Sequence, residues 1–257
     1  MIDNIKILGV GACMIKGTPH KLGFFQMTCG LLAAKGMSVQ GKLKSYPGFS
    51  SKDARKFVLR DIRYTQPEYV IIQFATTDAS VVLRFVNATR SILKKSAEES
   101  RLPLAPAAKK RTSHLSTLRW QVQDFISLAS SKKINNFDEC LAAQSAIMDE
   151  CFRNSAVPVV LSAFPCGPKH KTRHAALYTQ RLRHLVDAKG GIFVDLFESF
   201  GVGSKGDMLM ADGAHLTEAA HVMVASTIAD AIRTHIASAC MSGRRIDLPA
   251  TTVEPVG

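Results

Sequence analysis

The sequence predicts an α/β protein, a three-layer α/β/α sandwich around a five-stranded parallel sheet. Two observations carry this. Five short segments rich in Val, Ile and Phe are separated by helix-length stretches, the alternation that builds a sheet covered by helices. The apolar runs YVIIQFA and VPVVLSAF also lack polar alternation, as strands buried on both faces do.

In chain order the expected strands are 5–10, 38–46 (the most polar), 69–75, 157–164 and 191–197. Helices are expected over 21–35, 52–64, 80–96, 115–130, 137–154, 173–189 and 217–239. The last has Val222, Ala225, Ala229, Ile232 and Ile236 at helical spacing. Between 96 and 113 the chain changes character: SAEESRLPLAPAAKKRTS has two prolines, charge blocks and few apolar residues, and reads as a mobile insertion. Its Lys109–Arg111 triplet reads as a solvated face, with contact to nucleic acid or an anionic polymer as the other reading. Residues 240–257 are turn-rich and read as a loosely held tail, so one domain is expected over 1–239.

Composition narrows the class. With 46% hydrophobic and 21% charged residues, the 257-residue chain is neither disordered nor fibrous. Thirty-three Lys and Arg against 21 Asp and Glu give a net charge of +12, which favours anionic partners without naming one. Aromatic–basic interleaving and nucleic-acid motifs are absent from the linear sequence, so no nucleic-acid partner is expected. No run reaches the roughly 18 apolar residues of a membrane span, and MIDNIKILGV lacks the organisation of a secretory signal. The six cysteines form no CxxC pair and show no regular spacing, which argues against a zinc site or a disulfide scaffold. A cytoplasmic location follows as the expectation.

Chemistry concentrates at two places. The first strand ends in ILGVGACMIKG, where Gly9 and Gly11 begin a GxGxxG-like pattern. Met14 stands at the third glycine position and no acidic residue closes the second strand, so a dinucleotide site is disfavoured. A tight turn through Gly11 instead sets Cys13 at the carboxyl end of the first strand, where open α/β sheets keep their sites. The plain alternative for a lone Cys is a small buried hydrophobe. Near the carboxyl end, MLMADGAHLTEAAH carries Asp212 and His215 three apart before the last helix. A carboxylate at that spacing can orient an imidazole whose other nitrogen faces a nucleophile. His221 reads as a packing or capping residue.

Together these segments resemble the SGNH, or GDSL-like, hydrolase superfamily over about residues 5–236. In that family the first strand leads into Gly-Asp-Ser, a small hydrophobic stretch and a glycine, and Gly11-Ala12-Cys13-Met14-Ile15-Lys16-Gly17 aligns with Cys13 at the nucleophile. Gly48 in SYPGFSS is similar to the second-block glycine, Ala75-Thr76-Thr77-Asp78 to Gly-x-Asn-Asp, and Asp212 with His215 to the closing Asp-x-x-His. The resemblance implies a flavodoxin-like fold and an esterase, deacylase or acyltransferase with nucleophile Cys13, base His215 and orienting Asp212. The Cys13 amide, Gly48 and Thr77 would hold the oxyanion. The implied substrate is an ester of a carbohydrate or small metabolite, attacked through a thioester without metal or organic cofactor.

The departures touch the machinery itself: Cys13 for serine, Ala12 for aspartate, Ala75 for glycine and Thr77 for asparagine. They motivate a second reading, a catalytically silent binding or scaffold protein on the same fold. Asp78 reads as a structural support of the third-block turn. His170 and His174 in PKHKTRH read as an exposed loop, or as a basic rim for an acidic substrate. Cys140, Cys151, Cys240 and Trp120 read as packing or surface residues.

Overall fold

In the computed structural model, which describes residues 4–18, 21–79, 137–164, 169–200, 208–210 and 215–241, five parallel strands form the middle layer. They are β1 (Ile5–Gly11), β4 (Val39–Ser45), β5 (Tyr69–Gln73), β6 (Val157–Leu161) and β7 (Ile192–Val194), arranged β4-β1-β5-β6-β7. Stepping from β1 to β4 on one side and to β5 on the other creates the strand-order reversal at which such sheets open a crevice. A small antiparallel hairpin, β2 (Gly17–Thr18) with β3 (Lys21–Leu22), follows β1.

The pleat explains the apolar runs. Ile7, Ile71 and Leu161 face one side, where they pack with α1 (Phe24–Ala34) and α7 (Glu218–Met241). Leu8, Val10, Ile72 and Val160 face the other, against α2 (Ser51–Thr65), α4 (Phe137–Arg153) and α5 (Lys169–Lys189). The interiors of β5 and β6 are therefore apolar on consecutive residues. Outer strand β4, VQGKLKS, is half-solvated and carries lysines that discourage edge pairing. Helix α2 starts at a capping box, the Ser50 hydroxyl and Asp53 carboxylate each bonding the other's backbone N–H.

The expected elements that fall on the described residues are present with shifted ends. Strand β5 stops at Gln73 because Ala75 opens the short helix α3 (Ala75–Ala79), and β6 ends at Leu161 rather than 164. Strand β7 ends at Val194, not 197, because the Asp195 carboxylate accepts the N–H groups of Phe197 at 2.9 Å and Glu198 at 3.4 Å, capping α6 (Leu196–Ser199). The first helix begins at Phe24 rather than 21, since Lys21 and Leu22 pair in the hairpin. Helix α7 runs to Met241, so the helix enters the segment read as tail. The expected helices at 80–96 and 115–130, the 96–113 insertion with Lys109–Arg111, Trp120 and residues 242–257 lie outside the described residues.

Gly9 and Gly11 are packing glycines. A Cβ on Gly9 would stand 2.4 Å from Cδ2 of Phe25, and one on Gly11 would stand 2.7 Å from the Gln73 carbonyl oxygen. The pattern that suggested a phosphate loop is what lets α1 and β5 close onto β1.

Candidate active site

Three turns meet at the carboxyl edge of the sheet because Gly11 is in register with both Ser45 and Gln73. Ala12 N–H donates to the Gln73 carbonyl at 3.1 Å and Tyr46 N–H to the Gly11 carbonyl at 2.8 Å. The Ser45 hydroxyl donates to the Ala12 carbonyl at 3.2 Å. These bonds tie the chain after β1 to both neighbouring strands. Cys13 then opens a 3-10 helix, Cys13–Ile15, with Met14 and Ile15 buried beneath it and Cys13 itself exposed. Its N–H stands at the amino end of that turn.

The turn after β4 is shaped by Gly48, whose φ of +76° is disfavoured for a residue with a Cβ. After β5, α3 carries two threonines with different tasks. Thr76 is buried and its hydroxyl accepts the Phe164 N–H at 2.9 Å, tying this turn to the end of β6. Thr77 is half-buried beside it.

His215 lies at the exposed approach to α7. Its carbonyl accepts the Met210 N–H at 2.8 Å, Leu209 and Leu216 form a bridge, and the Thr217 N–H donates to Met208 at 3.0 Å. Two turns of chain are thus laced together around it. His221, buried in the first turns of α7, accepts the Phe24 N–H on Nδ1 at 3.2 Å and caps α1. Burial, and then the charge of nearby His215, lower the proton affinity of His221. The start of α1 in turn abuts the chain after Cys13: a Cβ on Gly23 would fall 2.4 Å from the Lys16 carbonyl carbon. His215, His221, Phe24 and the 3-10 turn therefore form one continuous neighbourhood. Asp212 lies outside the described residues, as does Cys166; the side chains of His170 and His174 do too, although both residues fall within α5.

Asp78 supports the site from below. Fully buried, its carboxylate accepts the Ser51 N–H at 2.7 Å, the Gln144 amide at 3.1 Å and the Tyr178 hydroxyl at 2.8 Å. These donors come from α2, α4 and α5. Burial raises its pKa, and the hydrogen bonds only partly offset that. Gln73, buried under Gly11, is a residue that sequence reasoning overlooked. Its signal was an amide inside an otherwise apolar strand.

The thiols are unequal. Burial pushes Cys29 up to about 11 and Cys140 up to about 12, and it raises Cys151 further. Cys13 and Cys240 are exposed. Among the described residues no group of three His, Cys, Asp or Glu side chains is gathered to hold a metal ion, and no helix is long and apolar enough to cross a membrane.

No protein-family model and no curated sequence matches the chain. Solved structures do. The lipase/acylhydrolase from Enterococcus faecalis superposes with a TM-score of 0.61 at 14% identity, over 90% of this chain and 96% of that one. A catalytic mutant of an acetylxylan esterase from Geobacillus stearothermophilus gives 0.60 at 16% identity, over 89% and 94%. A GDSL-like lipase from Bacteroides thetaiotaomicron gives 0.54 at 13%, over 91% and 88%. The fold is that of the GDSL-like, or SGNH, hydrolases. Cys13, Gly48 and Thr77 stand after the three adjacent strands β1, β4 and β5, and His215 stands before α7. Ala12, where the pattern has aspartate, is buried and apolar.

Proposed function

We propose that this chain is an ester hydrolase of the SGNH kind whose nucleophile is the Cys13 thiol. The supporting observation is an exposed thiol at the opening of the turn after β1, in a fold shared with esterases and lipases. His215 takes the thiol proton and the sulfur attacks the ester carbonyl. The oxyanion is held by the Cys13 and Gly48 N–H groups and the Thr77 hydroxyl. The alcohol leaves with the proton from His215, giving a thioester on Cys13. Water, deprotonated by His215, releases the acid, and an acceptor hydroxyl in its place gives acyl transfer. Asp212 orients His215. The substrate is an acylated carbohydrate or small metabolite. Because threonine is shorter than the asparagine it replaces, the third oxyanion donor is weak, a deficit of about 10²–10³ in rate.

A short-chain aryl ester tests this. Phenolate release should vanish in Cys13→Ala and His215→Ala, and mass spectrometry should find the acyl group on Cys13 of the parent. Release at the parental rate in both variants, with Cys13 unmodified, sinks the enzyme reading. The substitutions at 12, 75 and 77 support the silent binding protein that would then stand in its place.

A further inference from the structure

The α2 side of strand β4 carries a surface that the ester-hydrolase reading leaves unused. Lys42 pairs with Leu8 and Lys44 with Val10. Paired residues on neighbouring strands share a face, and Leu8 and Val10 pack on the α2 side. Lys42, Lys44 and, two residues on, Tyr46 therefore form a row on that face. The Tyr46 ring stacks with Phe49 at 6.4 Å and Phe57 at 6.2 Å between centroids, and Phe49 and Phe57 are themselves 6.4 Å apart. Both phenylalanines are 40% exposed, a clustered apolar patch rather than scattered surface residues. The Tyr46 hydroxyl donates to the buried Asp61 carboxylate, which fixes the ring.

Cations line the same flank. Arg60 stands 5.8 Å over the Phe57 ring, and Lys56, one helical turn before Arg60, is exposed. The two cations of α2 that reach α4 are neutralised there, Lys52 by Glu139 and Arg63 by Glu150. Asp61 meets Arg60 at 3.4 Å, and Asp53 is held in the helix cap. Among the described residues no carboxylate lies within 4.0 Å of Lys42, Lys44, Arg55 or Lys56. The row ends at Gly48 and Phe49, the turn beside Cys13. From residue 42 to residue 46 a strand rises about 13 Å, the length of a short oligosaccharide rather than of one sugar.

We propose that this strip binds an acidic polysaccharide, a chain of uronate sugars, whose apolar ring faces lie on Tyr46, Phe49 and Phe57 and whose carboxylates meet Lys42, Lys44, Lys56 and Arg60. Delivery of its O-acyl groups to Cys13 rests on the ester-hydrolase reading; binding does not. A glycan is favoured over a nucleic acid because the strip leads to a fold that acts on acylated hydroxyls in its neighbours.

The test uses the full chain with polygalacturonate, which carries no acyl ester and so reports binding separately from hydrolysis. Titration calorimetry should find binding to polygalacturonate that weakens as salt rises to about 0.5 M, where exposed charges are screened, and little binding to neutral xylan. Lys42→Glu with Lys44→Glu should weaken it about tenfold, and Phe57→Ala should weaken it with the salt dependence retained. Equal affinity for the neutral polymer, unchanged affinity in the lysine double variant with its melting temperature preserved, or tighter binding of oligothymidylate than of polygalacturonate each overturns the proposal. Loss of ester hydrolysis with binding intact would remove the catalytic reading and leave this one standing.

Discussion

A thiol at position 13 changes what the residues around it must do. Sulfur gives up its proton near pH 8.5 where a serine hydroxyl does not, so Cys13 depends less on a strongly basic imidazole and more on a place for the oxyanion. On the proposed mechanism Thr77 is the weak oxyanion donor, and Thr77→Asn is expected to raise kcat on an aryl ester by about tenfold or more with KM little changed. Stopped assays on both proteins check it, and an unchanged kcat would remove Thr77 from the oxyanion site. Asp78 gives the opposite kind of prediction. Asp78→Ala leaves three buried donors unmatched and should cost about 3 kcal/mol or more in a urea titration. At this scale the sequence was readable where a residue acts through its neighbours in the chain. Cys13 follows a strand-ending glycine, and Asp78 ends a short block. The hydrogen bond from Phe164 to Thr76 spans 88 positions, and the amide of Gln73 is buried by a glycine from another strand. No local pattern encodes either.

Between elements, the decisive contacts are few and specific. Gly9→Ala should cost about 1–3 kcal/mol by driving a methyl into Phe25; chemical denaturation should recover part of that loss in Gly9→Ala with Phe25→Leu. Helices α2 and α4 are joined by Arg63, whose guanidinium donates to Glu150 at 2.6 and 3.1 Å. That pairing, ahead of any other influence, holds the Glu150 carboxyl at about 2, below the ordinary 4.5. A depressed carboxyl contributes stability that is present above pH about 4.5 and is lost as pH falls through about 2. Since Arg63 and Arg153 are largely exposed, the contribution is about 1–2 kcal/mol. Glu150→Gln should flatten the acid limb of the stability profile over that window, measured by urea melts from neutral pH downward. Element types were legible from apolar runs and spacing, but element ends were not. Asp195 stops β7 by capping a helix only four residues long, and Ala75 turns the chain one residue after a strand-like phenylalanine. Both are decided by what the next turn needs.

The molecule is organised as two apolar layers separated by the sheet. Adjacent strand residues Ile71 and Ile72 belong to different layers. Their effects should therefore be nearly independent: Ile71→Val and Ile72→Val each cost about 0.5–1.5 kcal/mol, and the double variant should match the sum to within about 0.5 kcal/mol. A larger coupling energy in the double-mutant cycle would mean that the sheet transmits strain between layers. The overall class was legible in the sequence because a sheet buried on both faces writes its strands as unbroken apolar runs. The strip of cations and rings beside β4 was not, since strand register and the flank of α2 bring it together from separated positions.

The two layers also differ in when they can exist. The layer under α2, α4 and α5 draws its fully buried members from residues 8 to 186. The layer under α1 takes Ala220, Val224, Ala225, Ile228, Ala229, Ile232 and Ile236 from α7. In chain order, the buried members of one side are all present by residue 186, while the other side, holding Phe24, Phe25 and Leu32, is incomplete until α7. His215 arrives with that helix. A chain cut before residue 218 would thus lack the α7 members of that layer, and His215 would lose the helix that follows it.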